Sequence, residues 1–279
     1  MWQSSYDGRP TMYLVPTPIG NLDDITFRSL EVLKMVDVIF SEDTRVTINL
    51  LNHFKIKKKL LSMHEHNEDK VKIKILSLLN EGKNVAVVSD RGMPVISDPG
   101  LAVVKYVSSF GYNVVALPGA CALISALVVS GLDSQPFTFY GFLDSNVNRR
   151  RLQIENLVDC EHTMIFYESP YRIKETLNIM FDVLGNRQIS LSREISKRFE
   201  SVFRGNINDL VDFSDEFKGE FVIVVAGNKE TFDMSNINII DNVNIYIKEG
   251  FSVMEAIKKV ARERKIPKNL VYKEYHGGK

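Results

Sequence analysis

The densest gathering of residues able to do chemistry is Val88-Ser-Asp-Arg-Gly-Met-Pro-Val-Ile-Ser-Asp-Pro-Gly100. Asp90 and Asp98 offer fixed acceptors, Gly92 and Gly100 let backbone approach a ligand, and Pro94 and Pro99 stiffen the segment. That composition suits capture of a small polar molecule. The plainer alternative is a tight connection with a helix N-cap at Ser97 or Asp98. Three more polar segments have the same character: Thr17 to Asp24, Glu42 to Arg45 and His64 to Glu68. Each has a simple structural explanation when taken singly, with Asp43 a helix cap, Arg45 its partner and Asn21 a turn former. His64-Glu65-His66 offers two imidazoles, short of the three or four ligands a metal site needs, so no metal is expected. No Gly-x-x-x-x-Gly-Lys, no Gly-x-Gly-x-x-Gly after a strand and no nucleophile elbow occurs, which argues against P-loop, dinucleotide and serine-hydrolase chemistry.

These segments must be positioned by the elements around them. Apolar runs at 12–15, 36–40, 85–88 and 114–117 read as short buried strands, with a weaker one at 59–63. Helices are predicted from Thr26, over 48–54, 69–80, 101–110 and 123–130. Such alternation predicts a parallel sheet covered on both faces. All its strands end on one side, so the polar segments that follow them converge on one cleft. After Gly131 to Pro136 the strands become more aromatic, at 137–142, 163–167, 189–192, 199–203 and 221–225, with helices over 149–157, 172–184 and 207–213. The fold class is therefore α/β, with domains at 1–131 and 132–230 and a helical extension at 231–279, in which Ser252 caps one helix and Pro267 opens the last.

The chain has 279 residues, 44% of them apolar and 25% charged, the profile of a folded globular protein. Lysine plus arginine and aspartate plus glutamate each total 35, so an anionic partner must be met by local patches. Basic clusters occur at 55–59, 149–151, 193–198 and 258–265; the last is interleaved with Glu255 and Glu263 and reads equally well as a solvated helix face. Cys121 and Cys160 give no disulfide framework. The polar stretch Met1 to Pro10 is no signal peptide, and Pro118-Gly119 breaks the uncharged run Tyr112 to Leu132, so neither a membrane span nor export is expected and the location is cytoplasmic.

Val15-Pro-Thr-Pro-Ile-Gly-Asn-Leu-Asp-Asp-Ile-Thr26, Glu42-Asp-Thr-Arg45, His64-Glu-His-Asn67, Ser97-Asp-Pro-Gly100, Pro118-Gly119, Tyr167-Glu-Ser-Pro-Tyr-Arg172 and Arg193-Glu194 occur in order. Together with the tail Val271-Tyr-Lys-Glu-Tyr-His276 they resemble the bacterial small-subunit ribosomal RNA cytidine 2′-O-methyltransferases of the tetrapyrrole methylase superfamily. The resemblance implies two α/β domains with S-adenosylmethionine in the cleft between them, a homodimer and no metal. It also implies methylation of a decoding-centre cytidine in the small ribosomal subunit. By resemblance the cofactor-binding residues are Pro18, Gly20, Asp90, Gly92, Met93, Pro94 and Ile96, then Pro118, Gly119, Ala120, Cys121 and Ala122, with Phe142 and Leu143 over the adenine. Candidate bases are Glu42, His64, Glu68 and Glu168. Arg45, Arg149, Arg150, Arg151, Arg172, Arg193 and Lys197 are the candidate RNA contacts.

Two positions depart from the family pattern. Arg91 stands where alanine is expected and Cys121 where asparagine is expected. A guanidinium does not fit a packed pocket in place of a methyl, so Arg91 either points outward, toward RNA, or weakens cofactor binding. Two alternatives remain: a tetrapyrrole-type small-molecule methyltransferase, and a non-catalytic RNA-binding protein on the same fold.

Overall fold

The computed structural model describes all residues except 1, 6, 212–217, 229–237, 249, 265 and 278–279, and all their side chains except those of 262 and 263. By its contacts the chain divides into two units, Met1–Gly227 and Asn228–Lys279.

The first unit begins with β1 (Thr11–Val15), α1 (Phe27–Met35), β2 (Val38–Ser41), α2 (Thr44–His53) and β3 (Lys59–Ser62). It continues with α3 (Glu68–Asn80), β4 (Val85–Val88), α4 (Leu101–Ser109), β5 (Asn113–Ala116) and α5 (Ala122–Ser130). The strands form one five-stranded sheet in the order β3-β2-β4-β1-β5, with every neighbouring pair parallel. The apolar runs are continuous because both faces are buried. Met12, Val38, Phe40, Val85 and Val87 enter the core on one face, while Val15, Ile39, Ala86 and Val88 enter the core on the other. The strand expected at 36–40 starts later, since the Val36 amide still closes α1 on Val32 at 3.0 Å. Neither Ser97 nor Asp98 caps α4; its N-cap is Gly100, at φ 134°, whose amide is received by the Glu68 carboxylate.

A second sheet follows, from β6 (Phe137–Phe142), β7 (Thr163–Glu168), β8 (Gln188–Arg193), β9 (Ser201–Asn206) and β10 (Phe221–Val225). Its order is β6-β7-β10-β8-β9, with β6 and β7 parallel and the remaining pairs antiparallel. The last strand among the described residues, β10, is therefore the central one, and all its residues are buried. Between the strands lie α6 (Val147–Glu155), α7 (Ile173–Leu184) and α8 (Ile207–Val211). Asn146 caps α6 by accepting the amides of Asn148 and Arg149 at 3.1 and 3.2 Å.

The second unit holds α9 (Ile239–Lys248), α10 (Val253–Glu263) and α11 (Lys268–Gly277) around Val243, Ile257, Val260 and Val271. Ser252 opens α10 as the sequence predicts: its amide donates to Glu255 at 3.0 Å and its hydroxyl receives the Glu255 amide at 3.4 Å. Among the described residues no helix is long and apolar enough to cross a membrane.

Candidate active site

The polar segments after β1, β2, β4 and β5 all leave the same end of the parallel sheet. The first and third are joined directly: Thr17 and Gly92 exchange two backbone hydrogen bonds, each 3.0 Å. Gly92 sits at φ 78°, where a side chain would also press on Ile19 at 3.1 Å. Nearby Val95 holds φ 75°, a costly conformation for a β-branched residue and one typical of functional loops. On the other side of β1, in the turn after β5, a Cβ on Gly119 would run into the Pro16 ring, coming within 2.9 Å of its Cβ. Glycine is what lets these two turns touch.

A cavity of about 640 Å³ opens here. Its floor carries Glu42, Asp90 and Asp98, and its apolar lining includes Met93, Ile96, Ala122, Phe142 and Val222. Burial first, and then the charges of Glu42 and Asp90, push the Asp98 carboxyl up to about 6. Glu42 is raised in turn by loss of solvent, Asp90 and Asp43, with His64 opposing. No hydrogen bond contributes at either carboxylate. By contrast Asp90 receives the Asp43 amide at 3.0 Å, and Asp43, bonded to Arg45, is held down at about 2. Tyr167, in the lining, is pushed up to about 12, chiefly by burial. A wall this apolar over a floor this acidic favours a ligand with a flat body and a cationic end. Among the described residues no group of His, Cys, Asp or Glu is arranged to hold a metal.

The sign of the Asp98 shift has a thermodynamic consequence. The folded carboxyl titrates above its ordinary value of 3.8, so the native state binds the extra proton between about pH 4 and 6. Its contribution to stability is present below that window and lost as pH rises through it. Melting of the ligand-free protein is the check. Asp98→Asn is expected to match wild type near pH 4 and to exceed it by roughly a few degrees at pH 7; equal melting temperatures at both would contradict it.

Of the expected cofactor residues, Asp90, Gly92, Met93, Ile96, Cys121, Ala122 and Phe142 line this cavity. Pro18 and Gly20 line an adjoining one of about 560 Å³, and Gly119 and Ala120 a third opening. Pro94, Pro118 and Leu143 line none of the three. Leu143 is instead buried in the core of the second sheet.

The candidate bases divide the same way. Glu42 faces the cavity with its carboxylate unengaged. Glu68 is spent on the Gly100 amide, and His64, whose Nδ1 is buried without a partner, lies outside the lining. Glu168 reaches the cavity, but its side chain is fully buried and engaged through both oxygens: it accepts from the Ser169 amide at 2.8 Å, Thr176 Oγ1 at 2.7 Å and Arg172 at 2.7 Å. It is a structural anion.

The three adjacent arginines do not face one way. Arg149 and Arg151 are surface residues paired with Asp144 and Asp182, whereas Arg150 is fully buried and paired with Glu175. The expectation of RNA contact is thereby corrected for Arg150, which serves the core, and Arg172 is committed to Glu168. Arg45 is bound by Asp43, Lys197 lies between Glu194 and Glu220 at 2.8 and 2.9 Å, and Arg193 has a buried Nε with no partner. Arg91 lines both this cavity and the adjoining one, and its half-exposed guanidinium is paired with Glu220, another residue of the first lining. Asp98 enters the sequence reading as an acceptor or a helix cap and is not among the candidate bases. Glu220 carried no signal at all.

A family model described as tetrapyrrole (corrin/porphyrin) methylases matches residues 11–211. Ribosomal RNA small subunit methyltransferase I of Bacillus subtilis is 45% identical, over 98% of this chain and 98% of its own. The protein of the same name from Vibrio cholerae is 41% identical, over 96% and 94%. Among solved structures, the uroporphyrin-III-C-methyltransferase from Thermus thermophilus superposes with a TM-score of 0.55 at 19% identity, covering 78% of this chain and 94% of that one. The methyltransferase CobJ gives 0.58 at 18%, with the same coverage. These two likenesses speak to the fold.

Proposed function

The chain belongs to the tetrapyrrole methylase family and, within it, to the small-subunit ribosomal RNA methyltransferases I, and on that footing we propose that it methylates the ribose 2′-hydroxyl of a decoding-centre cytidine. In this reading it uses S-adenosylmethionine and works in the cytoplasm as a homodimer. The observation that carries it is the extent of the likeness. The family model ends at 211, but the ribosomal RNA relative matches over 98% of the chain, so the C-terminal helical unit is part of what is shared. The tetrapyrrole enzymes, below one-fifth identity, share the fold without bringing their substrates to this chain.

The residues present fit the cofactor. Phe142, Ile96 and Val222 would cover the adenine, and the acidic floor would favour the cationic end. S-adenosylmethionine supplies an electrophilic methyl group on its sulfonium. The walls from both sheets would exclude water and position the acceptor oxygen for transfer. Asp98 would take the proton of the acceptor hydroxyl. Glu42, beside it, keeps the Asp98 carboxylate basic.

The test is transfer of labelled methyl from S-adenosylmethionine to small subunits from a strain lacking the gene, followed by ribose-methylation mapping. A single labelled decoding-centre cytidine is expected. Cofactor binding without label on subunits would instead favour a small-molecule acceptor.

A further inference from the structure

We propose that Arg91 and the adjoining 560 Å³ cavity form a subsite for an RNA phosphodiester, with Glu220 holding the guanidinium until the anion arrives. The inference rests on the reading that the acceptor is RNA. Arg91 lines both this cavity and the cofactor cavity, and the two also share Ile19, Val46 and Asp90. A nucleotide in the second cavity would thus place its ribose at the common wall, facing the methyl donor, and its phosphate at the guanidinium.

The second cavity differs from the first in character. One side is the face of α2 that carries Thr47, Asn49 and His53, and the other is the stiff turn Pro18 to Gly20. Among the described residues no hydrogen bond engages the Asn49 side chain, so its amide can read a base edge or a ribose.

Arg91 is held in a way that is easily reversed. Its side chain is 54% exposed, Glu220 is 58% exposed, and an exposed pair of this kind contributes little to stability. A phosphodiester offers the guanidinium two oxygens in the geometry it prefers. Glu220 is not stranded by the exchange, because its other oxygen keeps Lys197 at 2.9 Å. Lys197 is itself fixed: a Cβ on Gly20 would strike its side chain and come within 3.3 Å of the Ile195 carbonyl, so only glycine lets the lysine stem lie there. The carboxylate between two cations is therefore a placeholder that an incoming phosphate displaces from Arg91 alone.

The experiment measures binding of the full-length protein to isolated small subunits over a salt series, for wild type, Arg91→Ala, Arg91→Lys and Glu220→Gln. Arg91→Ala is expected to weaken binding and to reduce the salt slope by about one. Arg91→Lys should keep the slope and lose part of the affinity, and Glu220→Gln should tighten binding several-fold by releasing the guanidinium. Binding is compared at saturating S-adenosylmethionine, because Arg91 and Glu220 also line the first cavity. An unchanged salt slope in Arg91→Ala overturns the proposal, as does a Glu220→Gln protein that weakens as Arg91→Ala does, which would make the pair a structural strut. Wild-type protein that keeps the Arg91-dependent slope yet transfers no methyl would sink the methylation reading and leave the phosphate subsite standing.

Discussion

Asp98→Asn is expected to lower methyl transfer to small subunits by about 10²- to 10⁴-fold, the usual loss when a general base is removed. The reasoning is by engagement of each carboxylate around the cavity. Glu168 is engaged by Ser169, Arg172 and Thr176, Glu68 is used by the Gly100 amide and Asp90 by the Asp43 amide. Asp98 and Glu42 remain unengaged, and Asp98, pushed up to about 6, is both ionised near neutrality and basic enough to accept a proton. The wild-type kcat/KM profile should accordingly rise through pH 6 and level off, and in Asp98→Asn that rise should vanish. Glu42→Gln removes a like charge from beside Asp98, so the rise should move to lower pH with a smaller loss of rate. The opposite pattern, a collapse in Glu42→Gln and a mere displacement in Asp98→Asn, would transfer the role to Glu42.

The second large effect concerns stability. Glu168→Ala should destabilise the fold by about 3–5 kcal/mol, because deleting one partner of a buried ion pair leaves the other charge uncompensated. Here the loss falls on Arg172 and also strands the buried Thr176 hydroxyl and the Ser169 amide. Urea unfolding measures it directly. Activity per folded molecule should survive at low temperature, since the carboxylate is committed to Arg172, Thr176 and the Ser169 amide. A variant of normal stability with abolished transfer would show that Glu168 acts on the substrate.

The strands were legible because burial on both faces writes continuous apolar runs, as at Val85 to Val88, and strand-end loops in a parallel sheet share one side by geometry. That argument brought Asp90, Gly92 and Glu42 to one cavity without any coordinate, whereas Phe142 was expected there only from the resemblance. It failed where neighbours in sequence are not neighbours in space. Arg149, Arg150 and Arg151 follow one another on α6, so successive side chains turn by about 100° and the middle one enters the core. Pairings across long separations were equally invisible: Glu220 meets Arg91 from 129 residues away, and nothing in either local sequence announces it. Glu168 was ambiguous for a related reason, since its engagement depends on Thr176 one helix further on. Electrostatic crowding at Asp98 likewise comes from Glu42 and Asp90, carried by two other strand ends.

The position of β10 also orders how the molecule comes into being. A growing chain completes the first sheet once residue 116 is available, since no later strand is needed. The second sheet has no such luxury. Before β10 is made, its strands exist as a β6–β7 pair and a β8–β9 hairpin with nothing to join them, and each presents a bare edge to solvent. Insertion of Phe221 to Val225 closes both edges at once and, in the same event, brings Glu220 and Val222 to the cavity. The cavity is thus completed only when this strand has emerged from the ribosome, and a fragment ending before 220 would lack Glu220, Phe221 and Val222 from its lining.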